Sequence, residues 1–429
     1  MSVKIIATSD LHIGRKVTGI EGGGQELSSR AIWKRIVGHA ISNKIDVIAL
    51  AGDIVDHNNR YFEAVAPLLS AFSQLKEKGI QVYLVAGNHD FDVLPQILQS
   101  NQFDNVHMLG ANGTWEVKTF SKDNESIQFA GWSFPSQYYS KDPTESLGEL
   151  KTDTSIPAIG LLHGEIGIQG SIYAPVSLSA LQNSRIGTWI IGHIHKPDVW
   201  CENPYIFYPG SPLALNPKET GPHGPWLITV ENGFTGVPTP LFNSSIRFEK
   251  LEIDVSEAVT DDLFRMKATD SILKMNEKLR PHLGGVSRLV YDVELTGTHE
   301  DIGHLEAWAG AMADATDHGI SGETIVSVRK VETSVKPSVG NLEALAEQSS
   351  PAGLLAQIIL GINKNEESLL INDLLKDWKI KQNEIRLSDA YRPLRNQDGS
   401  VEDPDYQGRQ YLLKESIRLL GTLLQQNRK

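Results

Sequence analysis

Asp46-Val-Ile-Ala-Leu-Ala-Gly-Asp53 decides how this chain folds. An unbroken apolar run between an aspartate and a Gly-Asp turn reads as a strand buried on both faces. Gln81-Val-Tyr-Leu-Val-Ala-Gly87-Asn88-His89 repeats the pattern. Val3 to Thr8 leads into Asp10-Leu-His12, Ala158-Ile-Gly-Leu-Leu into His163, and Thr188-Trp-Ile-Ile into Gly192-His193-Ile-His195. Between the first strands lie helical spacings. Ser28 is placed to cap a helix carrying Ile32, Ile36, Val37, Ala40 and Ile41, and Phe62 to Lys78 reads as a helix stopped by Gly79. Strands alternating with helices predict a layered α/β domain, in which ligands collect at the carboxyl ends of strands. Packing gives no reason to set imidazoles and carboxylates just after buried strands. A pair of divalent metal ions does.

Ile206-Phe-Tyr and Trp226-Leu-Ile-Thr-Val complete this first domain, residues 1–243. Alternating Leu251, Ile253 and Val255, a helical stretch, a Gly284-Gly285 break, alternating Leu289 to Leu295, a helix over 301–318 and the strand Thr324 to Val331 predict a small α+β domain, 245–334. Val335 to Gly340 reads as a linker. Residues 341–429 read as helical, with stripes at Leu354, Leu355, Ile358 and Ile362, at Leu369, Leu370, Leu374, Leu375 and Trp378, and at Leu413, Ile417, Leu420 and Leu424, the last after a polar loop over 396–407.

The 429 residues are 40% hydrophobic and 22% charged, ordinary for a globular chain of two or three domains. Cys201 is the single cysteine, which excludes an internal disulfide and points to a reducing compartment. The opening Met-Ser-Val-Lys-Ile-Ile runs straight into a strand, and no apolar stretch is long enough to span a bilayer. The expectation is a cytoplasmic protein without a membrane partner. A net charge of −13 excludes a simple electrostatic nucleic-acid binder but not an enzyme whose bound dications reverse the local sign.

Phosphodiester hydrolysis needs a nucleophile at neutral pH and neutralisation of the phosphate, and two metals about 3.5–4 Å apart supply both. The mixed oxygen and imidazole donors suit manganese, iron or zinc. Here the chain resembles the calcineurin-like metallophosphoesterase superfamily, whose pattern is D-x-H, G-D-x-x-D, G-N-H-D/E, a lone H and G-H-x-H. All five parts stand in order over residues 10–195. The resemblance implies a layered β-sandwich flanked by helices. It implies that Asp10, His12 and His195 hold one metal, that Asn88, His163 and His193 hold the other, and that Asp53 bridges them. It also implies that His89 faces the scissile phosphate rather than a metal. Asp56 matches an aspartate that orients the catalytic histidine in some phosphatases of the superfamily, and the same pairing with His89 is expected.

Three features move the reading toward DNA. Asp-Leu-His-Ile-Gly-Arg15-Lys16 resembles the opening of SbcD/YhaO-like DNA-repair nucleases, with Arg15 and Lys16 set to meet a backbone phosphate. Tyr208-Pro-Gly-Ser-Pro with Glu219-Thr-Gly-Pro-His-Gly resembles that family's stretch after the last histidines, and Phe248 to Val331 its capping domain. The expectation is a manganese-dependent DNA exonuclease-endonuclease. The resemblance further implies a homodimer through helices of the first domain and an SMC-like (SbcC-type) ATPase partner, onto which the C-terminal helices dock unless they close into a bundle. Relatives of this kind often carry a histidine where Asp56 stands, which leaves the balance between exonuclease and endonuclease open. The alternatives are a phosphodiesterase or phosphatase for nucleotides or other small substrates, and a non-catalytic scaffold that keeps its metal site. The Glu21-Gly-Gly-Gly-Gln-Glu insertion reads as tolerated, His57 as a loop residue, and His39, His107 and His223 as structural.

Overall fold

The structure is a computed structural model that describes residues 2–20, 25–56, 64–101, 103–299, 302–314, 320–321, 323–337, 342–366, 368–387 and 404–426. The insertion's glycines, His57, Tyr61, Phe62, residues 338–340 and most of the 396–407 loop lie outside them. The chain divides into two compact units. The first is Met1–Lys250 with Asn276–Asp292 and Thr316–Arg329; the second is Leu251–Met275 with Val293–Ala315 and Lys330–Lys429.

The first unit opens with β1 (Val3–Thr8), α1 (Ser29–Ser42), β2 (Val47–Ala51), α2 (Val65–Glu77), β3 (Gln81–Val85), α3 (Val93–Asn101) and β4 (Val106–Met108). Next come β5 (Glu116–Lys122), β6 (Glu125–Gly131), β7 (Ala158–His163), β8 (Glu165–Ile166), β9 (Pro175–Val176) and α4 (Leu178–Gln182). It continues through β10 (Thr188–Gly192), β11 (Asp198–Glu202), β12 (Tyr205–Tyr208), β13 (Trp226–Glu231), β14 (Phe234–Thr235) and β15 (Thr239–Pro240). One sheet has the order β14-β13-β1-β2-β3-β4, with β15 on β13; the other has the order β11-β12-β10-β7-β6-β5. β1 to β4 are parallel, as are β6, β7, β10 and β12.

Alternation along each strand makes the layers. Val3, Ile5 and Ala7 of β1 and Val47, Ala49 and Ala51 of β2 meet Ile159, Leu161, Ile190 and Phe207 of the other sheet in one buried core. Their neighbours Ile6, Ile48 and Leu50 point the other way, against Ile32, Trp33 and Ile36 of α1 and Leu68 and Phe72 of α2. Trp189 and Ile191 join a third cluster on the far side of the second sheet. Ser28 caps α1 as expected, accepting the Ala31 N–H at 3.3 Å.

Leu68, Phe72, Val93, Leu94 and Ile97 of α2 and α3 belong to the core. β5 escaped the sequence reading because it is a polar edge strand with no buried run. The expected linker contains a short strand, Lys336–Pro337, paired in parallel with Thr298–His299.

Strands Ile246–Asp254, Arg288–Thr296, Thr324–Thr333 and Ile320–Ser321 form a four-stranded sheet in that order. In the second unit Phe264 and Trp308 stack at 4.7 Å, and Trp308 donates to Asp261 at 2.8 Å. The C-terminal stripes pack on one another. Ala352, Ala356, Ile359 and Leu420 form one cluster, and Ile358, Ile362, Ile371 and Leu375 form another. No helix among the described residues is long and apolar enough to cross a membrane.

Candidate metal centre

The parallel strands β1, β2, β3, β7 and β10 each end on, or within three residues of, a candidate ligand. The turns that follow are tight. Asp10, His12, Asp53 and His193 all have positive φ, between 43° and 98°, a conformation uncommon for non-glycine residues and one that Asp and His tolerate more readily than most. Main-chain bonds hold these turns across the first sheet: Asp10 N–H donates to Gly52 O at 3.1 Å and His12 N–H to Asp53 O at 2.9 Å. Asp10 then reaches the second sheet, its carboxylate accepting the His193 N–H at 3.0 Å.

The glycines of the motifs have a steric reason. A Cβ on Gly87 would lie 2.1 Å from Asp53 Oδ1, and one on Gly192 would lie 2.6 Å from His163 Nδ1 and 2.0 Å from Ala51 O. Gly52, at φ +85°, would drive a Cβ to 2.5 Å from His163 Nδ1. At each of these positions the ligand side chain fills the space that a methyl group would take.

Asp10, His12 and His195 bring one donor atom each within 4.8 Å of one another, as do Asp10, Asp53 and His163. His12 Nε2 and His195 Nε2 are 3.1 Å apart. On the other side, His193 Nδ1 lies 3.3 Å from Asn88 Oδ1, and the His163 and His193 rings meet edge to face at 5.3 Å. Asp53 stands between the two groups. Its Oδ2 is 3.3 Å from His163 Nε2, 3.8 Å from His12 Nε2 and 3.9 Å from His89 Nε2.

These donors fit divalent cations for a specific reason. His163 Nδ1 faces the Ala51 carbonyl at 3.0 Å, and a carbonyl only accepts, so the ring proton sits there. The neutral ring then turns its Nε2 lone pair toward the Asp53 carboxylate, with both groups buried. Two facing acceptors repel, and a cation between them removes the repulsion. Without a metal ion, a proton takes that place. Burial opposes charge on His163, but Asp53 outweighs it and raises the imidazole to about 9. Burial opposes charge on Asp53 as well, yet His163, His12 and His89 hold it well below the usual carboxylate range.

His89 is set apart. Burial pulls its imidazole down to about 4, against Asp53 and Asp56, which favour the charged form. Its side chain is 34% exposed, its ring meets His12 edge-on at 4.8 Å, and its own N–H donates to Asp53 Oδ1 at 2.9 Å. Asp56 shares a cluster with His12 and His89, one atom each within 4.8 Å, and also lies 3.7 Å from Arg15 Nε. Arg15 is half-buried and Lys16 exposed. The fold thus brings Asp10, His12, Arg15, Asp53, Asp56, Asn88, His89, His163, His193 and His195 together.

Several partners escaped the sequence reading. Glu219 accepts from His195 Nδ1 at 2.8 Å, and Glu165 Oε1 lies 3.0 Å from His193 Nε2. Asp90, fully buried, accepts the N–H groups of Ile54, Val55 and Gly87 and ties two ligand turns together. Burial and the nearby Asp53 push its carboxyl up to about 7. His223 is buried, with Nδ1 2.8 Å from the Ser211 carbonyl oxygen.

The family profile described as calcineurin-like phosphoesterase matches residues 3–197. The metallophosphoesterase YhaO of Bacillus subtilis is 30% identical over 287 residues, which cover 64% of this chain and 69% of that protein. The chain belongs to the calcineurin-like phosphoesterase family. Two proteins named DNA double-strand break repair protein Mre11 are similar to this phosphoesterase over most of its length. That of Sulfolobus acidocaldarius is 22% identical over 399 residues, 88% of this chain and 98% of the relative. That of Methanosarcina acetivorans is 21% identical over 418 residues, 94% of this chain and 62% of the relative.

Proposed function

We propose that this phosphoesterase is a two-metal phosphodiesterase acting on DNA, an exonuclease-endonuclease that works as the catalytic subunit of an SMC-like ATPase-coupled repair complex. The observation that carries the phosphodiesterase reading is the position of Asp53, within 3.9 Å of three imidazole nitrogens that belong to different turns. Asp10, His12 and His195 would hold one ion and Asn88, His163 and His193 the other, with Asp53 shared. Manganese suits this oxygen and imidazole set. When bound, the pair would neutralise the phosphate and activate the attacking water.

The chain's own residues do the rest. His89, partly exposed beside the centre, donates a hydrogen bond to a phosphate oxygen, or a proton to the leaving oxygen once the bound phosphate's negative charge raises its imidazole from about 4. Asp56 orients that ring. Arg15 and Lys16 meet the next backbone phosphate. DNA is favoured over a small substrate because the relatives named for double-strand break repair align along 88% and 94% of the chain, well beyond the ligand motifs. A net charge of −13 leaves the long electrostatic track to the partner.

Cleavage of a labelled duplex and of a chromogenic phosphodiester, with and without manganese, tests this reading. His89→Ala should keep both ions and lose about 10²–10⁴-fold in turnover. Hydrolysis of the small ester alone, with duplex and single strands untouched even beside an SMC-like ATPase, would leave a small-molecule phosphodiesterase instead.

A further inference from the structure

We propose that Glu165 and Glu219 are positioning residues for the two metal positions, each taking the outward N–H of one imidazole of Gly-His-Ile-His and leaving the inward nitrogen free to donate its lone pair. A neutral imidazole has one N–H and one lone pair, and a carboxylate can only accept, so the proton sits wherever the carboxylate is. Glu219 Oε1 is 2.8 Å from His195 Nδ1, which leaves Nε2 toward His12 and Asp10. Glu165 Oε1 is 3.0 Å from His193 Nε2, which leaves Nδ1 toward Asn88. The two rings are two residues apart in sequence and present opposite nitrogens. Each therefore needs its own fixing group, because one tautomer cannot serve both.

The two carboxylates are anchored differently. Both oxygens of Glu219 are committed: Oε1 also accepts from Asn216 Nδ2 at 2.6 Å, and Oε2 accepts from Leu215 N at 2.7 Å and Ser211 Oγ at 3.2 Å. An amide at position 219 would turn an N–H against one of these donors. Glu165 lies on β8, its side chain is 17% exposed, and Tyr173 covers the His193 ring at 4.9 Å. It can be truncated without opening the core.

This inference rests on the two-metal reading, so the experiment separates the two. Manganese bound per chain is measured by equilibrium dialysis for the full-length wild type, E165A, E165Q and E219Q. Ring tautomers are read from long-range ¹H–¹⁵N spectra of the metal-free proteins labelled at histidine. The wild type should bind two ions. E165A should weaken one of them about 10–100-fold and spare the other, with E165Q, which keeps an acceptor, in between. E219Q should weaken the opposite position. In the metal-free spectra, E165A should move His193 from a single tautomer to a mixture. Unchanged manganese binding in E165A, or a His193 tautomer that survives loss of the carboxylate, would overturn the proposal. Wild type binding fewer than two ions would instead sink the two-metal reading, with the tautomer spectra still informative. If E219Q fails to fold, E165A still gives the answer.

Discussion

Gly87→Ala should damage the centre out of proportion to the one methyl group it adds. The new Cβ would lie 2.1 Å from Asp53 Oδ1 and 2.7 Å from Asp53 N. The first distance is more than about 1 Å short of ordinary van der Waals separation. Asp53 cannot turn aside cheaply. Its Oδ1 accepts the His89 N–H at 2.9 Å, its Oδ2 faces His163, and the second clash is with main chain. Relief requires the Gly52–Asp53 turn to move. Overpacking of this kind costs about 1–3 kcal/mol. Losing the carboxylate's hydrogen bond adds about 1.5–3 kcal/mol. A shift of about 1 Å at a catalytic group is worth about 10²-fold in rate. The assay combines manganese content after dialysis, turnover of bis(p-nitrophenyl) phosphate and thermal unfolding. Gly187→Ala, where a Cβ meets nothing within 4 Å, serves as the control. Full metal content and unimpaired turnover in Gly87→Ala would refute the steric account of the motif glycine.

Chelation should lower the unfolding temperature, because ions held only by the folded chain stabilise it, and the proton that His163 takes up in their place replaces only part of that charge. Restoring manganese at a hundredfold excess over its Kd should return about 2.7 kcal/mol per site, and a melting curve indifferent to chelator would contradict this. Asp90→Asn should destabilise the protein by about 1–3 kcal/mol, since an amide cannot accept all three main-chain N–H groups, with denaturant titration as the measure. The isolated chain should bind long duplex weakly and with a shallow dependence on salt. Tight binding of the chain alone at physiological salt, measured by fluorescence anisotropy, would remove the need for a partner's basic channel.

The ligand turns were legible because a buried strand ending in Asp or His is rare for any reason but chemistry. Val47 to Ala51 and Ile159 to Leu162 announce strands by composition alone, and the residues after them lie where the α/β rule places them. What stayed hidden depends on three-dimensional proximity. Glu165 and Glu219 stand 28 and 24 residues from the histidines they touch, and although Glu219 opens a family-like stretch and Glu165 follows His163 closely, neither position says which imidazole it meets. Asp90 was visible inside Gly-Asn-His-Asp, but its three N–H partners come from two turns that only folding brings together. The C-terminal stripes told of burial without saying against what. Ile358 and Ile362 pack with Ile371 and Leu375 of the same chain, while Leu354 and Leu369 remain exposed.

Asp10, His12, Asp53 and Asn88 come from one sheet, and His163, His193 and His195 from the other. A cation pair gripped by both would act as a rivet through the seam of the sandwich, joining positions far apart along the chain. Any slip between the layers would then be felt first as altered coordination. Substitutions deep in the seam, at Ile5 or Ile190 for instance, could disable chemistry while leaving every ligand in the sequence intact.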